Sequence, residues 1–408
     1  MLKIKGIFIY TFLFFVFVSS SISQTIEKDT CLKNHLRELK NTYTSDDDFS
    51  DLKFLKETLK GVDIVALGEV SHGDGTTFET KVRLVKFLHE ELGFDVLAFE
   101  SGLYDCKKAW ELITQGETAD STAGKGVFAI WSKSSQVAPL FQYIENQKNG
   151  KYPLILAGFD FQFTASASKD YLVADFISFL NGLGIKLGDT DDFSDFTRTL
   201  QSLIEDENYS ENISLLIKCF DRIEQELYRV ELTREVSFWL QWIKSTKNLV
   251  TDRNHRDKYM AENFIWLKDQ YYPNKKIICW GASSHFMFNS SHLNVRFLDK
   301  FPTMGDSIKI RYNNRFYTIG FTDYAGERGT LWEEGYKIEP AKPGSLEDVI
   351  NRSCVQNCFI DFHEISNECF LKQNKILTRP FWFYKRMVIP KVMDGLIFIK
   401  EMKKSTSK

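Results

Sequence analysis

The sequence predicts an α/β fold: a mostly parallel sheet flanked by helices, with a helical insertion forming a cap over the strand ends. Three observations carry this reading. Short, largely apolar runs recur at 62–67, 95–99, 153–159 and 275–281. They alternate with stretches of helical apolar spacing, the order that sets parallel strands side by side with helices on both faces. Each run also ends in polar residues capable of chemistry.

Taken in order, Lys3 and Lys5 form a basic start and Ile7 to Val18 is almost wholly apolar, with small residues Ser21-Ile22-Ser23 before Gln24. This pattern predicts a cleaved signal peptide at 1–23. A membrane anchor is the alternative, although the apolar run is shorter than the roughly 20 residues that span a bilayer. After the first strand, Phe78 to Leu92 carries Val82, Val85, Phe87, Leu88 and Leu92 at helical intervals, and Gly93 is a plausible helix stop. The second strand follows, then helices from Tyr104 to about Thr114 and from Gln136 to Lys148, then the third strand. From about 166 to 250 the chain reads as successive helices with an acidic, glycine-containing break from Gly182 to Asp195, and this is the expected insertion. Tyr259 to Trp266 leads helically into the fourth strand, and Arg315 to Thr322 and Cys358 to Phe362 give two more. With no internal repeat and no low-complexity linker, residues 24–408 are expected to form one domain carrying the insertion.

A chain of 408 residues with 43% hydrophobic content is long enough to bury a large core. The formal charge of -3 and the scattered basic residues argue against nucleic acid as a partner, because phosphate binding needs concentrated Lys and Arg. An exported protein, periplasmic or secreted, can form disulfides. Seven cysteines leave at least one unpaired in a monomer. Cys354, Cys358 and Cys369 cluster as the source of a bridge, whereas Cys106, Cys219 and Cys279 sit in apolar or helical contexts as core thiols. No stable membrane span is expected after signal cleavage.

The densest chemistry is Gly68-Glu69-Val70-Ser71-His72-Gly73, directly after the first strand. In open α/β sheets ligands bind outside the carboxyl ends of the strands, so strand-end groups converge despite distance in sequence. The second strand ends at Glu100, the third at Asp160, the fourth runs into Ser283, Ser284 and His285, and the fifth is expected to end at Thr322 and Asp323. Singly, each is as well explained as a cap or turn residue; jointly they mark a candidate site. His72 is the natural general base, since imidazole titrates near neutrality. Glu69 and Glu100 suit the carboxylate role of orienting it, and His285 suits contact with a substrate carbonyl or leaving oxygen. No Gly-x-Ser-x-Gly elbow is present, so water activated by His72 is preferred to Ser71 as nucleophile. His72, His285, Glu69 and Glu100 are also possible metal ligands, but the helical His-Glu-x-x-His pair is absent. His255, beside Arg253 and Arg256, suggests a basic patch facing the substrate.

These residues resemble the erythromycin esterase family. The resemblance rests on Gly68 to Gly73 followed by Lys81-Val82-Arg83-Leu84, on Phe99-Glu100, and on Arg256-Asp257 with Met260-Ala261-Glu262-Asn263 and Trp266. Trp280 through His285, Met304-Gly305 and Ile319-Gly320-Phe321 follow in the family's order. The resemblance implies a metal-independent hydrolase, without cofactor, that opens the macrolactone ester of erythromycin-like antibiotics and so gives resistance. His72 would activate water, Glu69 and Glu100 would support it, and His285 would stand as the second active-site histidine. Lys81 and Arg256 would line the cleft, and Asp160 and Ser284 are the further substrate-binding candidates. Two departures bear on the substrate: Ala282 stands where the characterised esterases have another histidine, and Gly73-Asp74-Gly75-Thr76 lacks the acidic residue the family often places last. The expected partner is a small-molecule ester; the alternative is a non-catalytic haem- or metal-binding protein on a related fold.

Overall fold

The computed structural model describes residues 31–185, 190–293, 301–354 and 356–408, so the expected signal peptide lies outside the described residues. The expected runs form strands β2 (Ile64–Glu69), β3 (Phe94–Gly102), β4 (Ile155–Asp160), β5 (Lys276–Ala282), β6 (Phe316–Arg328) and β8 (Asn357–Asp361), and two short polar segments add β1 (Leu36–Leu39) and β7 (Tyr336–Ile338). Three more complete the set: β9 (Ile376–Thr378), β10 (Lys385–Met387) and β11 (Gly395–Met402). Nine strands join one sheet in the order β1-β8-β11-β6-β2-β5-β3-β4, with β7 on β6, while β9 and β10 pair apart. From β11 through β4 every neighbouring pair is parallel, and β8 against β11, β1 against β8 and β7 against β6 are antiparallel. The α/β class with a mostly parallel sheet is therefore what the chain adopts.

Side chains alternate between the two faces of a strand, and this divides the core. Val65, Leu67, Leu97, Phe99, Ile278 and Trp280 pack on one side with helices α1 (Gly75–Leu92), α2 (Leu103–Thr114), α3 (Ala119–Gly126) and α4 (Ala138–Gln147). Their alternates Ile64, Ala66, Val96, Ala98, Ile277 and Cys279 face a second layer. That layer comprises α5 (Val173–Gly182), α6 (Thr190–Glu205), α7 (Ile213–Leu227), α8 (Arg234–Thr251) and α9 (Arg256–Trp266). The helices between β4 and β5 thus lie over one face of the sheet, and the turn entering α9 reaches the carboxyl ends of the strands through Arg256.

The remaining described helices of note are α10 (Ser283–Phe286), α11 (Met304–Tyr312) and α12 (Leu346–Ser353). The expected strand end at Thr322 and Asp323 is not an end, because β6 runs on to Arg328. Asp323 is buried against Arg328 (2.6 Å) and Arg379 (3.0 Å), and the same Arg328 pairs with Asp74 of the loop that carries His72. Among the described residues no helix is long and apolar enough to cross a membrane.

Cys354 and Cys358 pair with each other, and Cys369 pairs with Cys31 across 338 positions, a partner that local spacing does not signal. Cys106, Cys219 and Cys279 are buried thiols.

Phe176 centres the aromatic interior of the second layer, touching Trp239 and Trp242 at 4.9 and 5.1 Å between ring centroids. Truncation there removes a wholly buried ring with little room for collapse. Phe176→Ala should lower the urea unfolding free energy by about 3–5 kcal/mol, while a two-state domain keeps its m-value.

Candidate active site

The parity of β2 places Glu69 on the same side as Val65 and Leu67, over α1. It is fully buried, and burial of a carboxylate is tolerated only if its oxygens are bonded. Lys81 of α1, itself fully buried, forms an ion pair with Oε2. Oε1 receives the Trp131 indole N–H at 3.1 Å and faces His72 Nδ1 at 3.1 Å. An ionised carboxylate only accepts, so Nδ1 carries the hydrogen and Nε2 is the basic nitrogen of neutral His72. Nε2 makes no hydrogen bond among the described residues, and the side chain is 36% exposed. The ring stands edge-on to Trp131 with centroids 5.3 Å apart. Burial works against the charged imidazole, but the bond to Glu69 and the charges of Glu100 and Glu69 outweigh it and raise the His72 pKa.

Glu100 follows a register shift in β3 and belongs to the other half of the site. Its Oε2 accepts the backbone N–H of Ala282 at 2.9 Å, and Oε1 meets Arg256 at 2.9 Å and His285 Nε2 at 3.2 Å. Burial alone would push the carboxyl up; His285 and Arg256 hold it well below the usual range. Asp160, fully buried, takes Arg256 Nη2 at 2.5 Å and Nε at 3.3 Å. His285 gives its Nδ1 to Asp257 at 2.8 Å. Burial opposes its charge, yet Asp257 and Glu100 raise its pKa to about 10, so it is an imidazolium at neutral pH. Gly68 allows α10 to come this close to β2, because a Cβ there would lie 2.7 Å from Ser283 Cα. The Ser283 hydroxyl then donates to the Gly68 carbonyl at 2.5 Å.

The structure therefore brings Glu69, His72, Glu100, His285, Arg256, Asp160 and Lys81 to one edge of the sheet. Two substrate-binding expectations are corrected. Lys81 and Asp160 have no exposed surface and do not line the cleft; Lys81 neutralises Glu69 and Asp160 anchors Arg256. Arg256, 29% exposed, remains open to a ligand, and Ser284 is half-buried on α10 beside His285. Trp131 and Asp257 are the residues that sequence reasoning missed as site members. Trp131 carries no local signal, whereas Asp257 directly follows Arg256 at the start of α9 and also accepts the Met304 N–H at 3.0 Å. Among the described residues no three His, Cys, Asp or Glu side chains are grouped to hold a metal ion.

A histidine with one unbonded ring nitrogen and two cations thus lie at the carboxyl edge of a parallel sheet, where ligands of open α/β folds bind. The chain belongs to the erythromycin esterase family, whose model, described as Erythromycin esterase, matches residues 89–402. That span includes Glu100, Asp160, Arg256 and His285 and begins after Glu69, His72 and Lys81. The chain is 30% identical over 430 residues to "Putative hydrolase YbfO" of Bacillus subtilis (strain 168), covering 95% of this chain and 94% of that one. It is 22% identical to erythromycin esterase type II of Escherichia coli, covering 87% of this chain and 93% of that one. An erythromycin esterase mutant solved in its open conformation shares the fold, with TM-score 0.66 and 15% identity over 89% of this chain and 96% of that one.

The raised His285 pKa has a pH consequence. A histidine charged more readily in the folded state stabilises fully below its ordinary 6.5, and that stabilisation is lost as pH rises through about 10. The difference in urea unfolding free energy between the parent and His285→Gln should therefore be largest below pH 6.5 and shrink toward pH 10.

Proposed function

We propose that this hydrolase cleaves a carboxylic ester by water that His72 activates. The observation that carries the reading is the geometry around Glu69: one oxygen is neutralised by Lys81, the other fixes the His72 tautomer, and Nε2 is left as the basic nitrogen. Nε2 takes a proton as the water oxygen bonds to the ester carbonyl carbon, and Glu69 stabilises the imidazolium that forms. His285 and Arg256 supply positive charge for the carbonyl oxygen as it becomes an oxyanion, a role that suits groups whose charge is fixed before reaction. Collapse expels the alkoxide, which recovers the proton from His72, and the products are an acid and an alcohol.

The family and the Escherichia coli relative support a macrolide lactone as the ester, with ring opening as the route to antibiotic resistance. The two disulfides fit an exported protein, periplasmic or secreted. The competing reading, a haem- or metal-binding protein, needs histidine lone pairs. His285 offers none, since both its nitrogens face carboxylates and the ring is held protonated, so at this site that reading would rest on His72 Nε2 alone.

Purified protein given erythromycin and simple esters should hydrolyse at least one of them with chelator present, and His72→Ala should lower kcat/KM by about 10²–10⁴-fold. The base must be neutral to act, so kcat/KM should fall tenfold per pH unit on an acid limb whose midpoint lies above the ordinary histidine value of 6.5. Undiminished turnover in His72→Ala, or an acid limb absent from the profile, would reject the assignment.

A further inference from the structure

Residues Lys403–Lys408 run between two turns that are remote in sequence. On one side Lys403 N–H bonds Thr76 Oγ1 at 2.8 Å, Thr76 N–H bonds the Lys403 carbonyl at 3.3 Å, and Asp74 and Lys404 form an antiparallel bridge. Ser405 N–H reaches the Gly73 carbonyl at 3.0 Å, immediately after His72.

On the other side Ser405 Oγ meets Ser134 Oγ at 2.9 Å, and Ser135 N–H bonds the Thr406 carbonyl at 2.8 Å. Thr406 N–H bonds Gln136 Oε1 at 2.9 Å, and Lys408 N–H bonds the Lys133 carbonyl at 3.0 Å. This second turn directly follows Trp131. Ser134 and Ser405 are fully buried, so the join is internal. Gly73 is required there, because a Cβ would lie 2.5 Å from the Gly329 carbonyl carbon.

His72 and Trp131 meet at a single atom, Glu69 Oε1, each at 3.1 Å. We propose that Lys403–Lys408 is a positioning strap: by bonding the backbone of both turns it fixes His72 and Trp131 about Glu69 Oε1, and so sets the aim of His72. The residues of the strap touch no reacting atom. Their role rests on the reading of His72 as the base, but their effect on its geometry is measurable without any substrate.

The test uses the full chain with Ser405→Pro, which deletes the N–H bonded to Gly73, and Ser405→Ala, which keeps it. Ser405→Pro should lower kcat on p-nitrophenyl acetate by about ten- to hundredfold with KM nearly unchanged, because misaiming a base costs rate more than binding. Ser405→Ala should restore kcat. The charged groups facing His72 are Glu69 of β2, Glu100 of β3 and His285 of α10. In Ser405→Pro the His72 titration followed by NMR should shift down toward the ordinary value, and the Trp131 indole N–H should exchange faster with solvent. A folded Ser405→Pro with parental His72 titration and Trp131 exchange would overturn the strap. If that variant does not fold, Gln136→Ala, which removes the acceptor of Thr406 N–H, decides on the same two readouts. Absence of ester turnover in the parent would count against the ester reading alone, since titration and exchange still judge the strap.

Discussion

A carboxylate with no exposed surface is costly unless it is paired and both its oxygens are hydrogen-bonded, and Glu69 meets that demand with three partners from three parts of the chain. Lys81 comes from the helix that follows β2, Trp131 from the turn before α4, and His72 from the loop between β2 and α1. Each partner is in turn constrained by the carboxylate. Lys81 is buried, with its ammonium 4.4 Å over the Trp280 ring; burial lowers its pKa, and the charge of Glu69 works against that. His72 has one nitrogen committed and one free. The orientation of His72 is thus a by-product of solving a desolvation problem in the core.

The second half of the site obeys the same rule with different components. Glu100, Asp160 and Asp257 are negative, Arg256 and His285 positive, and every one of these charges lies within hydrogen-bonding distance of an opposite one. Sheet parity separates this group, served by α9 and α10, from the Glu69 group served by α1. His72 senses Glu100 and His285 electrostatically, so the two halves act as one field. A neutralised but rigid set of charges leaves His72 as the member with spare basicity.

The strands and their terminal residues were legible because a parallel sheet writes itself as apolar runs closed by polar residues. Glu69, His72, Glu100 and His285 needed no tertiary information to be singled out. Lys81 was misassigned because its helical position gives no sign of whether a charge meets solvent or a buried carboxylate. Thr322 and Asp323 were misplaced because β6 continues through polar residues that Arg328 and Arg379 neutralise from elsewhere. Trp131, the Cys31–Cys369 bridge and the final strand were not legible at all. Their partners lie from 34 to 338 positions away, and no local pattern encodes such a distance.

The position of β11 has a consequence for how the molecule is made. It sits between β6 and β8, both of which precede it in the chain, so those two strands have no direct edge to share until β11 enters. During vectorial synthesis the helical layers and the parallel half of the sheet can therefore assemble while a slot stays open in its middle. Domains dominated by such long-range closures fold slowly. Glu69, His72, Glu100 and His285 are all synthesised early relative to that event, yet the frame around them is completed only when the last strand is inserted. Closure of the sheet around these groups therefore depends on a strand that follows both of its neighbours in sequence.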